Sequence, residues 1–124
     1  MATVYIIDDE PEVCEVLRSF LETEGHTVQT ATTTEDVIDR VQQDLPDLIL
    51  LDVVMPEKNG LEILPQLKKV SPGSYVVIIT GLDDYRIADL FYEAGVNGFL
   101  IKPIRLAELR QAIQRLLNHP ATSA

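Results

Sequence analysis

Cysteine occurs once in these 124 residues and histidine twice, and acids outnumber cations by 20 to 10. Cys14 alone permits no internal disulfide and no thiolate metal cluster. With no basic residue or histidine near it in sequence to activate it, it reads as filler on the first helix. A net charge of −10 repels phosphate backbones and anionic membranes, which argues against direct nucleic-acid binding. No apolar stretch approaches the ~18 residues of a membrane span. The first apolar run meets Asp8 too early for a signal peptide, so the expected location is the cytoplasm. His26 and His119 fall in a turn and in the tail and read as surface residues, leaving no histidine for catalysis. Internal repeats and low-complexity tracts are missing too. These limits fit a single domain over residues 1–124, with a core of about 3–117 and residues 118–124 as a tail or the start of a linker, either in a stand-alone chain or in one cut from a larger protein.

Four short apolar runs stand out. Val4–Ile7 leads into Asp8-Asp9-Glu10, Leu48–Leu51 into Asp52, Val76–Ile79 into Thr80, and Phe99–Ile101 into Lys102-Pro103. Aliphatic and β-branched runs of this length read as strands buried on both faces, the habit of parallel sheets. Thr27–Ala31 is a fifth, less apolar strand candidate that suits an edge. Parallel strands would bring the four polar endings to one carboxyl edge, where open α/β sheets bind ligands.

Helical periodicity fills the intervals. Pro11 suits a first turn, Val13, Val16, Leu17, Phe20 and Leu21 form one stripe, and Gly25 suits a C′ stop. Thr32-x-x-Glu35 fits a capping box before the stripe Val37, Ile38, Val41 and Leu45, with Pro46 as terminator. Gly60 opens a third helix through about Lys69 that Pro65 should bend. Asp84 can cap a fourth helix with Ile87, Ala88, Leu90, Phe91 and Ala94 facing the core, closed by Gly95. Leu106, Leu109, Ile113, Leu116 and Leu117 mark a last helix ending near residue 117. Strand–helix alternation of this kind predicts right-handed crossovers and a parallel sheet covered on both faces.

Asp8, Asp9 and Asp52 gathered at one edge would repel one another by about 1 kcal/mol per pair in water and about 4 at an effective dielectric of 20. A divalent cation relieves that, and all-oxygen ligands select a hard ion such as Mg2+, or Mn2+ in its place. Beside such an ion and opposite the Lys102 ammonium, Asp52 is placed to receive a phosphoryl group, with Thr80 donating a hydrogen bond to it.

The motifs Ile6-Ile7-Asp8-Asp9-Glu10, Leu51-Asp52-Val53-Val54-Met55-Pro56 with Gly60, Ile79-Thr80-Gly81 and Leu100-Ile101-Lys102-Pro103 together resemble the receiver domain of two-component response regulators. The resemblance runs from Thr3 to Leu117. It implies a flavodoxin-like three-layer sandwich, a five-stranded parallel sheet of order 2-1-3-4-5 with five helices. It implies that Asp52 accepts a phosphoryl group from a histidine kinase or phosphotransfer protein, catalysing only its own transfer and dephosphorylation. Asp9 and Asp52 would bind Mg2+ directly, Asp8 through water, and the backbone carbonyl of Val54 would complete the set. Lys102 and Thr80 would act on the phosphoryl group, Phe99 matches an aromatic switch position, and the bond before Pro103 should be cis.

Val54 and Leu82 replace polar side chains that receivers often carry, which predicts a long-lived phosphorylated form. The surface of the fourth helix, fifth strand and fifth helix, with Arg86, Arg110 and Arg115 beside Asp89, Glu93 and Glu108, suits docking of a partner or a second copy. Two other classes compete with this reading: a phosphorylation-independent interaction module, and a Mg2+-dependent phosphatase, whose general acid Val54 could not supply. A flavin-binding domain of the same fold would need a Gly/Ser/Thr-rich phosphate loop where Asp8-Asp9-Glu10-Pro11 stands.

Overall fold

Strand and helix alternate five times along the chain in a computed structural model that describes residues 2–53, 60–81 and 85–122. The order is β1 (Thr3–Ile7), α1 (Pro11–Thr23), β2 (Thr27–Ala31), α2 (Val37–Asp44), β3 (Leu48–Asp52), α3 (Gly60–Val70), β4 (Tyr75–Thr80), α4 (Tyr85–Glu93), β5 (Gly98–Ile101) and α5 (Leu106–Thr122). All strand pairs are parallel and the sheet order is β2-β1-β3-β4-β5, a flavodoxin-like arrangement. Val54, Leu82 and Asp84 lie outside the described residues, as do the side chains of Arg86, Ile87 and His119.

The apolar runs of β1, β3 and β4 become strands because each supplies two buried faces. The run Phe99–Ile101, expected to be buried on both faces, instead forms the edge strand β5, with Phe99 and Leu100 half-buried and Ile101 exposed because no strand pairs beyond it. Tyr5, Ile7, Ile49, Leu51, Val76 and Ile78 pack under α2, α3 and α4, where Val37, Val41, Ile63, Leu64, Leu67 and Phe91 meet them. The alternate residues Val4, Ile6, Leu48, Leu50, Val77 and Ile79 pack under Cys14, Leu17 and Leu21 of α1 and Leu109 and Ile113 of α5. The less apolar β2 is an edge strand, where one neighbour is missing and alternate side chains reach solvent.

Helix boundaries and faces depart from the periodic reading in several places. The Thr32/Glu35 capping box does not form: α2 starts at Val37 after Asp36, which is left-handed (φ 56°) and makes no side-chain cap bond. Leu45 is not part of the stripe; it takes the left-handed cap position (φ 46°), which turns its side chain out to solvent. Val16, Leu90 and Ala94 fit their stripes by spacing but are exposed, because no described residue covers that part of α1 or the end of α4 and the turn after it. Pro65 sits on the exposed side of α3, which continues through it to Val70. The last helix does not stop near residue 117 but runs to Thr122. Once nucleated, each further residue gains a hydrogen bond for one pair of dihedrals, except Pro120, which has no N–H to offer the carbonyl of residue 116.

Gly25 closes α1 at φ +93°, with His26 N–H donating back to Leu21 O at 3.1 Å. His26 is half-buried rather than a surface residue. Its Nδ1 accepts from Ala2 N–H at 3.2 Å, and burial lowers its affinity for a proton.

Candidate functional site

The sheet register carries the polar endings to a common edge. Ile7 pairs with Leu51, so Asp8 and Asp52 follow on adjacent strands. Asp52 itself pairs with Ile79, and Thr80 pairs with Ile101, just before Lys102. Strand alternation sets Asp52 in step with Leu48 and Leu50 on the α1/α5 side, and Thr80 in step with Val76 and Ile78 on the α3/α4 side.

Short local bonds hold these ends in place. Asp8 N–H donates to Ala31 O at 3.0 Å, and Lys102 N–H donates to Thr80 O at 2.7 Å. Asp8 Oδ1 accepts the N–H of Glu10 at 2.9 Å, a turn closed by an aspartate on the residue two ahead. Pro11 then begins α1, where its missing N–H costs nothing. The Lys102–Pro103 bond is cis.

Lys102 lies at the centre. Its Nζ is 2.8 Å from Asp8 Oδ2, 2.9 Å from Glu10 Oε1 and 3.3 Å from Asp52 Oδ2. Burial works against the ammonium, but its contacts with Asp8 and Glu10 and the charges of Asp8 and Asp52 outweigh it, so its affinity for a proton is raised. The approach to Asp8 is an ion-pair contact off the axis of a hydrogen bond. Asp8 Oδ2, although fully buried, is thus left without an aligned donor.

That oxygen, fully buried and ion-paired with the Lys102 ammonium without an aligned hydrogen bond, is one sign that the site favours positive charge. The other is the donor set: one carboxylate oxygen from each of Asp8, Asp9, Glu10 and Asp52 lies within 4.8 Å of the rest. Four carboxylates against one ammonium leave a strong negative excess, and their hard oxygens match a hard divalent ion. The acidic cluster is typical of a metal-binding phosphoacceptor site.

Thr80 is fully buried at the end of β4. Phe99 is half-buried on β5, its ring centroid 6.2 Å from that of Phe91 and tilted by 41°. The Val54 carbonyl, named as a ligand by resemblance, lies outside the described residues. Cys14, on the floor behind Asp8, donates through Sγ to Asp8 O at 3.4 Å. Burial, reinforced by the Asp8 charge, pushes its thiol up to about 11, which leaves it an inert core residue.

Two features escaped the sequence reading. Glu10 is a direct partner of Lys102, and its place directly after the two aspartates was the available signal. Beside Lys102, an open apolar groove of about 650 Å³ is lined by Val13, Val16, Leu17, Pro103, Ile104 and Leu106. A third point is a correction. Arg110 is turned toward α1, where Nε meets Glu24 at 2.6 Å and the guanidinium lies 5.2 Å over the Phe20 ring, so its charge is spent within the fold.

Comparison with known proteins gives a consistent answer. A family model described as the response regulator receiver domain matches residues 4–114. A probable C4-dicarboxylate response regulator, DctR, from Bacillus subtilis strain 168 is 32% identical over 114 residues, covering 90% of this chain and 50% of that protein. A response regulator receiver domain protein from Clostridium thermocellum superposes with a TM-score of 0.88 at 28% identity, covering 100% of both chains. A BeF3-activated DrrB receiver domain superposes with a TM-score of 0.86 at 25% identity, covering 95% of this chain and 98% of that one. The chain thus spans about half the length of the DctR protein it matches. No helix among the described residues is long and apolar enough to cross a membrane.

Proposed function

The chain belongs to the response regulator receiver domain family, and on that premise we propose that it is a phosphorylation-activated switch with Asp52 as phosphoacceptor. The observation that carries this reading is the position of Asp52: its side chain is 3% exposed, with Lys102 Nζ at 3.3 Å and three further carboxylates close by. An Asp52 carboxylate oxygen forms a bond to phosphorus as the phosphorus–nitrogen bond of a partner's phosphohistidine breaks, and the imidazole leaves with the electron pair. Lys102 balances the oxygens of the transferred group. Asp8, Asp9 and Asp52, with the Val54 carbonyl, would hold Mg2+ or Mn2+, whose charge offsets the developing negative charge when it is bound.

The Thr80 hydroxyl then senses the phosphoryl group and Phe99 changes its burial, altering the face of α4, β5 and α5. Leu90, Tyr92 and Ile101, all exposed there, give that face apolar anchors for a partner or a second copy. The groove lined by Val16, Ile104 and Leu106 adjoins Lys102 and suits an apolar segment of the phosphodonor protein. The domain catalyses only its own modification, as a cytoplasmic partner of a histidine kinase. Val54 and Leu82, both apolar, leave the hydrolytic water without side-chain guidance and prolong the signal.

Incubation with Mg2+ and acetyl phosphate, followed by intact-mass measurement, tests the reading. A single phosphate adduct that disappears in Asp52→Asn is expected. No adduct would favour an interaction module that works without phosphorylation, and rapid multiple turnover would favour a phosphatase.

A further inference from the structure

Glu10 is the most solvent-exposed member of the acidic cluster: its side chain is 59% exposed, against 0% for Asp8 and 3% for Asp52. Its backbone is fixed all the same. The N–H is held by Asp8 Oδ1, and the carbonyl accepts from Val13 and Cys14 N–H at 3.1 and 3.2 Å. The residue is therefore anchored at the start of α1, and its carboxylate contacts Lys102 Nζ at 2.9 Å, more open to solvent than the buried Asp8 and Asp52. An incoming phosphoryl group meets this negative charge before it reaches Asp52. It must also draw Lys102 away from it.

We infer that Glu10 is a specificity-determining residue, an anionic gate that discriminates against free dianionic phosphodonors relative to donors of lower charge. The inference rests on Asp52 being the phosphoacceptor. Its consequence is a preference for a phosphoryl group presented by a protein with a basic side chain that can occupy Glu10 as Lys102 leaves it. The charge of Glu10 repels a dianion twice as strongly as a monoanion, so its effect on the logarithm of the rate doubles with donor charge.

Acetyl phosphate (a dianion near neutral pH) and phosphoramidate (a monoanion) make the comparison. With the first, the Asp52 oxygen–phosphorus bond forms, the phosphorus–oxygen bond to the acetyl group breaks and acetate leaves with the electron pair. With the second, the phosphorus–nitrogen bond breaks and ammonia leaves, its nitrogen already carrying the proton it needs. Labelling rates are measured by intact mass for wild type, Glu10→Gln and Glu10→Asp. Each protein is held at a Mg2+ concentration that saturates it, established by calorimetric titration of the unphosphorylated form.

The expected result is a gain in Glu10→Gln of about tenfold with acetyl phosphate and about threefold with phosphoramidate. Glu10→Asp should stay near wild type. Both gains should shrink toward unity at about 1 M salt, where screening acts within ~3 Å. Equal gains for the two donors, gains indifferent to salt, or slower transfer by Glu10→Gln overturn the gate while leaving the phosphoacceptor reading intact. A wild type that takes no label from either donor refutes that reading itself.

Discussion

Removing the charge of Asp52 should stabilise the protein when divalent cations are absent. In Asp52→Asn the described ion-pair attraction that is lost is the one to Lys102 Nζ at 3.3 Å. The relieved repulsions are those of Asp8, Asp9 and Glu10, whose donor oxygens lie within 4.8 Å. Under any uniform dielectric, three repulsions at that distance outweigh one attraction by about twofold, because Coulomb energy falls only as the inverse of distance. The net relief is about 1 kcal/mol with water-like screening and about 5 kcal/mol at an effective dielectric of 20. Asp9 and Glu10 reach solvent, so the lower end governs. Lys102 keeps Asp8 and Glu10 as partners, and the variant also buries one charge fewer.

A domain of this size shifts its melting temperature by about 4 °C per kcal/mol. Thermal melts followed by circular dichroism in a chelating buffer should therefore place Asp52→Asn about 4–8 °C above wild type. Mg2+ should narrow or reverse the order. A hundredfold excess over the dissociation constant stabilises wild type by about 2.7 kcal/mol, and a site lacking one carboxylate gains less. A melting temperature in chelator equal to or below wild type would mean that the carboxylates are not crowded as described.

Three further predictions follow from other parts of the fold. The Cys14 thiol is raised to about 11, chiefly by burial, so the stability held in its neutral form is complete below the unfolded thiol's value of about 8.5 and is lost as pH climbs through the folded value. Melting temperature against pH should fall more steeply between about 8.5 and 11 for wild type than for Cys14→Ala, and parallel slopes would contradict this. The buried Tyr5 hydroxyl donates to the Asp44 carboxylate on α2, a helix whose first turn has no side-chain cap; Tyr5→Phe should cost about 1.5–3 kcal/mol. It should also speed amide exchange in α2 more than elsewhere, and a loss spread evenly over the chain would deny Tyr5 that tethering role. Phosphate release from labelled protein should be about tenfold faster in a Val54→Asn, Leu82→Glu double variant through better positioning of water, and an unchanged time course would remove those residues from the account of signal lifetime.

The sheet was legible because its three central strands are buried on both faces, and there hydrophobic runs and elements coincide almost residue for residue. The edge strands β2 and β5 are only partly buried. Helices were legible in position but less so in face. Periodicity tells which residues of α1 share a side, but not how far a neighbour covers that side. Leu17 and Leu21 meet the sheet, whereas Val16 borders an open groove beside Ile104 and Leu106. Leu90 follows the same logic on α4. The start of α2 was misplaced for a different reason. The Thr32–Glu35 pattern promises a cap, but Asp36 adopts a left-handed conformation and delays the helix to Val37. A backbone choice at one residue of this kind leaves no periodic trace.

The site divides along a similar line. Asp8, Asp52, Thr80 and Lys102 reach one edge because parallel register leaves strand ends no other place to go, and that much follows from four runs of aliphatic residues. The role of Glu10 depends on what happens one residue past the strand, in the turn into α1. Even there the sequence holds a physical clue. An aspartate two residues ahead of a backbone N–H favours the turn that Asp8 makes with Glu10, and Pro11 directly afterwards fixes the first helical residue. Once Oδ1 of Asp8 is committed to that turn, only Oδ2 remains to face the Lys102 ammonium. The Glu10 carboxylate, on the residue whose N–H closes the turn, then meets the same ammonium from the solvent side. The geometry that orients the buried aspartate thus also places an exposed carboxylate at the mouth of the site.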